Sequence, residues 1–396
     1  MDTYRCDILI VGGGIAGLWT ANRLLQAGWN VLLLESSALG AAQTLASQGI
    51  MHSGVKYGID GSNREIAQQL KTLPPRWMDC LAGKGELDLS AVKVLSPEQY
   101  LWSRDRVIGG FTSAMAGKAM QGEVEDVPKS RWPEVLKANP PSGSLYAVKE
   151  AILDIQTVVQ SLSNPLQGRT VAGQIQKFHT SEKGVEALEV SLADGRLIRL
   201  EAGVFVFTAG SGNEQAAVAL GFGMEVTQRR PLRMVLAKGL PQPVYGHCVT
   251  TSPKPRATIT SHPHEGKWVW YLGGEIAEKG AQMSDDDTLK RAKEEMESIF
   301  PSVNWSEVAW ACFAVDRAEP RDPKGQLPPE PRLLAKGNSI IAWPTKLVYA
   351  PLLADRVIES LPGLGIKPSP LTDFSSLPAA EVGQLPWQQA RDWRRL

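Results

Sequence analysis

The stretch from Asp7 to Glu35, DILIVGGGIAGLWTANRLLQAGWNVLLLE, decides the fold. Asp7-Ile8-Leu9-Ile10-Val11 is an apolar run of strand length, and Gly12-Gly13-Gly14 ends it. Leu18, Ala21, Leu24 and Leu25 recur at helical spacing up to Gly28, a stop signal. Val31-Leu32-Leu33-Leu34 is a second buried strand and ends on Glu35. Strand, helix, strand with short joints is a βαβ unit, which implies a parallel sheet. Inside it lies Gly12-x-Gly14-x-x-Gly17. Gly12 permits the tight turn, Gly14 lets the backbone approach a pyrophosphate, and Gly17 lets the helix pack close to the strand. Ile15 and Ala16 begin the helix whose exposed N–H groups face the phosphates. Glu35, with Ser36 beside it, is placed to accept hydrogen bonds from both ribose hydroxyls, which disfavours a 2′-phosphate. A lone glycine triplet is a weak signal, but the βαβ context with its acid specifies a dinucleotide site.

Outward from this unit the chain is less legible. Residues 62–82 read as a helix, Ser96-Pro97-Glu98-Gln99 resembles a capping box, and 107–145 carries no deciding pattern. A helical run from 154 (Val158, Val159, Leu162) leads to a strand near 170–177. Residues 188–192 and 197–200 flank an Asp194-Gly195 turn and read as a hairpin, and 204–207 is a further buried strand ending at Thr208-Ala209-Gly210. Alternating segments at 232–237, 257–262 and 267–272 predict a second, mainly antiparallel sheet, interrupted by a polar helix at 285–299. Residues 340–343 form another strand, and 350–361 a helix with Pro351 in its first turn. Residues 363–396 are Pro-rich and read as a wrapping or mobile tail.

The chain has 396 residues, 43% hydrophobic and 21% charged, enough for two domains or one large composite. Lys+Arg 42 balances Asp+Glu 42, so no charge argument supports a nucleic-acid partner or an anionic membrane surface. Cys6, Cys80, Cys248 and Cys312 offer neither a disulfide framework nor a zinc spacing. His262-Pro263-His264 lacks a third ligand nearby, so no metal is expected. No apolar run reaches the ~20 residues of a membrane span and no signal peptide is evident, so the expectation is a cytoplasmic protein.

Whether the dinucleotide is FAD or NAD is answered by a resemblance. Four blocks are similar to the D-amino-acid oxidase-like FAD oxidoreductases, the family of glycine oxidase, glycerol-3-phosphate dehydrogenase and hydroxyglutarate dehydrogenase. They are the N-terminal block, Ala46-Ser47-Gln48-Gly49-Ile50-Met51-His52-Ser53-Gly54-Val55-Lys56-Tyr57, the strand ending at Ala209-Gly210, and Asp316-Arg317-Ala318-Glu319-Pro320 with the strand and helix that follow. The resemblance implies non-covalent FAD. It places Ser47, Gln48 and His52 against the flavin, Ala209 and Gly210 near the adenine end, and Lys346 and Leu347 near the pyrimidine edge. Where relatives often have a Gly-rich turn, this chain has Trp343-Pro344-Thr345-Lys346, which brings a cation into that neighbourhood.

His52 has the most chemical leverage. An imidazole near neutrality can take a substrate hydroxyl proton while hydride leaves the carbon. It can equally serve as a hydrogen-bonding ligand of the flavin or, in some relatives, as its attachment point. Arg317 offers a planar fork for a substrate carboxylate, although it stands among Asp316, Glu319, Arg321 and Asp322, where an ion-pair cluster would look the same. Tyr57 and Tyr271 are candidate pocket walls or hydroxyl donors.

The expected architecture is α/β: a Rossmann-like FAD-binding domain (1–75, 150–230, 335–362), a mainly antiparallel substrate domain (76–149, 231–334) and the tail 363–396. The expected activity is an FAD-dependent dehydrogenase or oxidase of a small carboxylated substrate, hydroxy acid ahead of amino acid. An amino-acid or secondary-amine oxidase is the alternative. A flavin monooxygenase, or an FAD-binding subunit of a larger complex, is a further one. The electron acceptor (oxygen, quinone or another protein) is left open.

Overall fold

The computed structural model describes residues 1–52, 64–105, 124–252, 254–325, 328 and 330–396. In chain order the strands are β1 (Asp2–Val11), β2 (Val31–Glu35), β3 (Val94–Ser96), β4 (Gln99–Trp102), β5 (Val124–Asp126), β6 (Tyr146–Val148), β7 (Ile152–Leu153), β8 (Thr170–Ser181) and β9 (Gly184–Leu192). They continue as β10 (Leu197–Phe207), β11 (Thr227–Leu240), β12 (Gly246–Cys248), β13 (Ala257–His264), β14 (Lys267–Gly273), β15 (Ala309–Pro320), β16 (Arg332–Lys336), β17 (Ser339–Trp343) and β18 (Arg394–Arg395).

Buried apolar runs account for the first sheet. β1 lies between β2 and β10, all parallel, with β8 beyond β2 and β17 beyond β10. β9 pairs antiparallel with both β8 and β10, and β16 caps the edge antiparallel to β17. Ile8, Leu9 and Ile10 are fully buried, as befits strands covered on both faces. The segments expected as a hairpin arm and a separate strand are one strand, β10. β1 runs beside it from Ile198 to Phe207, while its other side pairs with β9 over Leu197–Leu200 and with β17 over the buried Phe205–Phe207. The second sheet runs β18-β15-β11-β14-β13-β12-β4-β6-β5 and is antiparallel except where β12 meets β4. Its long strands bury Val235, Trp270 and Leu272 on one face and Leu236, Val269 and Tyr271 on the other.

Helices α1 (Ile15–Gln26), α2 (Arg64–Leu81) and α3 (Glu134–Ala138) are followed by α4 (Ile155–Ser163), which Asp154 caps by accepting from the Gln156 and Thr157 N–H groups. Then come α5 (Asn213–Ala219), α6 (Glu275–Gly280) and the predicted polar helix α7 (Asp285–Ile299), capped by Ser284. α8 (Ala350–Ser360) and α9 (Pro386–Gln389) complete the set among the described residues. The capping-box reading of 96–99 is corrected. Ser96 Oγ donates to the Glu98 carbonyl and Gln99 begins β4, so the segment is a turn between two strands.

The tail wraps. Thr372 exchanges hydrogen bonds with Asn30, Phe374 is buried, and Val382 bridges Leu39. Trp387 packs on His262 at 4.1 Å between ring centroids, and β18 pairs with β15. Its prolines exclude sheet interior but not an extended path between the two sheets.

An ion network ties α1, α2 and α8 together. Arg76 grips Asp355 through Nη1 and Nη2 (2.5 and 2.9 Å), and Arg23 reaches Glu86 and Asp355 at 2.8 and 3.2 Å. Burial pushes the Asp355 carboxyl up, but the hydrogen bonds and charges of Arg76 and Arg23 prevail and hold it below its ordinary value. A depressed folded pKa stabilises the fold above the unfolded Asp value, about 3.9, and that contribution is lost as pH falls through the folded value. Asp355→Asn is therefore expected to cost about 1–3 kcal/mol at pH 7. Denaturant titrations at pH 7 and at successively lower pH below the unfolded Asp value should show the deficit shrinking as pH falls.

Candidate functional site

A cleft of about 1220 Å³ runs from the Gly12–Gly17 loop past Glu35 to His52, Glu150 and His247. Small-molecule sites hold about 300–1,000 Å³, so this one has room for a dinucleotide and a small substrate together.

Its first end is built by steric necessity. Gly12 has φ +106°, and a Cβ there would lie 2.6 Å from the Ala209 Cα. A Cβ on Gly17 would lie 1.9 Å from the Gly12 carbonyl oxygen. Thr208 locks the approach by donating its N–H to the Val11 carbonyl (2.8 Å) and its Oγ1 to that of Gly12 (3.0 Å). α1 begins after Gly14, with no acid in its first turn; Thr44 Oγ1 accepts the Ile15 N–H at 3.1 Å, and the positive end of the helix still favours an anion there. Ile15 and Ala16 line the cleft at this helix start. Glu35 does more than the motif indicates: its Oε2 accepts the Gly13 N–H at 2.7 Å and its Oε1 accepts from Ser37 N and Oγ at 2.9 and 3.1 Å. It therefore braces the glycine loop as well as facing the cleft, with Ser36 Oγ 3.4 Å away.

Ser47 and Thr345 line the cleft, and the hydroxyl of each is buried without a hydrogen-bond partner among the described residues. Buried polar atoms are seldom left so, and a polar ligand would satisfy them. Thr345 also has φ +60°, a conformation that costs a β-branched residue about 1–3 kcal/mol and clusters at ligand sites. A glycine cradle, a helix N-terminus without an acid and orphaned hydroxyls all fit FAD.

The remaining candidates divide. Ala209, Gly210, Lys346 and Leu347 line the cleft. Gln48 does too, but its Nε2 donates to the carbonyls of Thr258 (3.2 Å) and Tyr271 (2.9 Å), stapling its loop to the second sheet. Lys346 buries its ammonium over Tyr349, 5.2 Å from the ring centroid, so it does not extend into solvent. Burial pulls its pKa down to about 8 against the opposing charge of Glu319. Tyr271 is not a pocket wall. It is fully buried between the sheets, its hydroxyl donates to the Ala46 carbonyl at 2.6 Å, and burial pushes its pKa well up. Tyr57 lies outside the described residues.

At the far end His52 is one-third exposed to the cleft, with Nδ1 3.4 Å from Glu150 Oε2. Arg317 and Arg230 show opposite states of engagement. Arg230 is committed, forking onto buried Glu319 at 2.6 and 2.7 Å. Among the described residues the Arg317 side chain reaches its polar partners, Glu278 Oε1 and the Arg230 carbonyl, only at 3.5 Å, so it keeps donor capacity for a ligand. Burial and the Arg230 charge lower its pKa, partly offset by Glu278 and Glu319. The guanidinium stays protonated. Glu150, His247 and Arg230 were not singled out from the sequence, where none belongs to a motif.

Residues 7–333 match the family model for FAD-dependent oxidoreductases, DAO. A probable FAD-dependent oxidoreductase of Pseudomonas aeruginosa, PA4991, is 38% identical over 387 residues, covering 97% of this chain and 98% of that one. Its crystal structure superposes with a TM-score of 0.81, covering 98% and 99%. In fold alone the chain also resembles an L-amino acid deaminase from Proteus vulgaris (TM-score 0.64, 15% identity, 92% and 91% covered). A glycine oxidase from Geobacillus kaustophilus is similar in the same sense (0.61, 14%, 96% and 100%). The matched span, the extent of the PA4991 likeness and a cleft that fits the cofactor together make this chain an FAD-dependent oxidoreductase of the DAO family.

Proposed function

We propose that the chain oxidises the hydroxyl-bearing or amine-bearing carbon of a small carboxylated substrate, hydroxy acid ahead of amino acid. One observation carries this reading: a histidine and an incompletely engaged arginine face the same cleft as the glycine cradle. FAD, when bound, supplies the two-electron acceptor. Arg317 holds the substrate carboxylate, and His52 takes the hydroxyl proton through a ring nitrogen. The first sheet carries the cofactor, and the second walls the substrate side. Fold relatives named for amino-acid chemistry keep the amine reading in view, and an amine, which can enter neutral, has less need of a base at position 52. The acceptor that reoxidises the enzyme is oxygen, a quinone or another protein. No described helix is long and apolar enough to cross a membrane.

Anaerobic mixing with a panel of hydroxy acids and amino acids tests the reading, with flavin bleaching as the signal. His52→Ala should slow bleaching by the best hydroxy acid about 10²–10⁴-fold, with partial rescue at high pH. Arg317→Lys should mainly raise KM, and an unchanged KM would return Arg317 to its ion pair with Glu278.

The cofactor is held without a covalent bond in this reading, so acid denaturation should release free FAD, and a yellow pellet would contradict it. Glu35→Ala should weaken FAD binding by about 1–3 kcal/mol in a fluorescence titration.

Lys346 supplies positive charge near the flavin's pyrimidine edge in the same picture. Lys346→Met should lower the two-electron potential by about 20–65 mV, the equivalent of about 1–3 kcal/mol, in a dye-linked titration. An unchanged potential would remove Lys346 from that role.

A further inference from the structure

Backbone pairing places Glu150 against His52. Ile50 and Ile152 form an antiparallel bridge, the Met51 N–H donates to the Ala151 carbonyl at 2.9 Å, and the Leu153 N–H donates to that of Gly49 at 2.9 Å. Continued by two residues, this register sets position 52 opposite position 150. Glu150 is 3% exposed, and Gln99 of β4 donates its Nε2 to the same Oε2 that faces His52.

A carboxylate so placed accepts hydrogen bonds and donates none. The Gln99 amide turns its N–H₂ group to Glu150 even though its own Oε1 is then buried with no partner among the described residues. That arrangement is costly unless Glu150 is ionised, because a protonated carboxyl would donate to that oxygen instead. An ionised Oε2 facing Nδ1 favours a proton on Nδ1, which in the neutral ring leaves the lone pair on Nε2. The 3.4 Å separation is long for a hydrogen bond, but such catalytic contacts often tighten only when substrate is in place. His247 also faces His52, its ring nearly parallel with centroids 6.4 Å apart, while its Nδ1 lies 2.7 Å from Thr258 Oγ1.

We propose that Glu150 is the positioning residue of His52: its buried carboxylate fixes the Nδ1–H tautomer and leaves Nε2 as the proton acceptor. The inference rests on the reading of His52 as a base. It explains why a buried acid far along the chain, outside the glycine motif, lines the catalytic end of the cleft.

The test is ¹⁵N-histidine NMR on the FAD-loaded protein. The chain has five histidines, and His52 is assigned by the signal missing in His52→Ala. Neutral His52 should appear as the Nδ1–H form. Glu150→Gln replaces the acceptor-only carboxylate by an amide that can also donate, so the neutral ring should lose its preference for the Nδ1–H form. Glu150→Ala should move the neutral ring to the Nε2–H form; if that variant loses FAD, the Gln variant decides. An Nε2–H ring in the parent protein, or an unchanged tautomer in Glu150→Gln, overturns the proposal. Bleaching by the best hydroxy acid in the panel separates it from the base reading. A His52→Ala rate equal to the parent's sinks the base. A slow His52→Ala beside a Glu150→Gln at the parent's rate sinks the positioning role alone.

Discussion

The turn after β1 and the turn after β10 touch backbone to backbone at Gly12 and Ala209, and the placing of the cofactor end depends on that contact. No side chain fits between them, so the chain must carry glycine where β1 ends. Thr208 closes the gap by donating to the carbonyls of both Val11 and Gly12. With strand ends pinned this way, α1 leaves the sheet at one angle only, and its N-terminal N–H groups converge where a pyrophosphate can bind. Glu35 secures the other side of the same loop through the Gly13 N–H.

From this anchor, a small number of polar contacts carry the geometry into the second sheet. Gln48 donates to two carbonyls of that sheet, Tyr271 returns a hydrogen bond to Ala46, and the Ala318 N–H reaches Gln43. These contacts hold the 41–50 segment between the sheets. His52 therefore sits at the end of a segment fixed from both sides. The C-terminal tail adds an outer strap, passing from Asn30 to Trp387 on His262 and ending as a strand beside β15.

Charge around Arg230 and Arg317 is arranged by contrast. Glu319, buried, absorbs Arg230 completely, while Glu278 is shared at long range by Arg317 and in close contact by Lys254. A fully paired arginine contributes structure; a loosely paired one retains directional donors for an anion.

Residues 7–35 were legible because every determinant there is local: strand length, helical spacing, glycine sterics and an acid at a fixed offset. The polar helix Asp285–Ile299 and the strand Ser339–Trp343 were readable for the same reason. Tyr271 was not, because β14 is buried on both faces, and a period of two cannot say which face opens on a cleft. The 96–99 segment misled because Ser-x-Glu-Gln chemistry serves a turn between strands as well as a helix start. Residues 197–207 looked like two strands because one strand changes partners, and with them its burial, halfway along. The sequence by itself determined the cofactor fold and put His52 and Arg317 among the candidates. Only the tertiary structure decided that Glu150 stands behind His52, that Arg317 rather than Arg230 keeps donors to spare, and that Tyr271 is core. Those facts depend on register and packing between segments far apart in the chain, which no local spacing encodes.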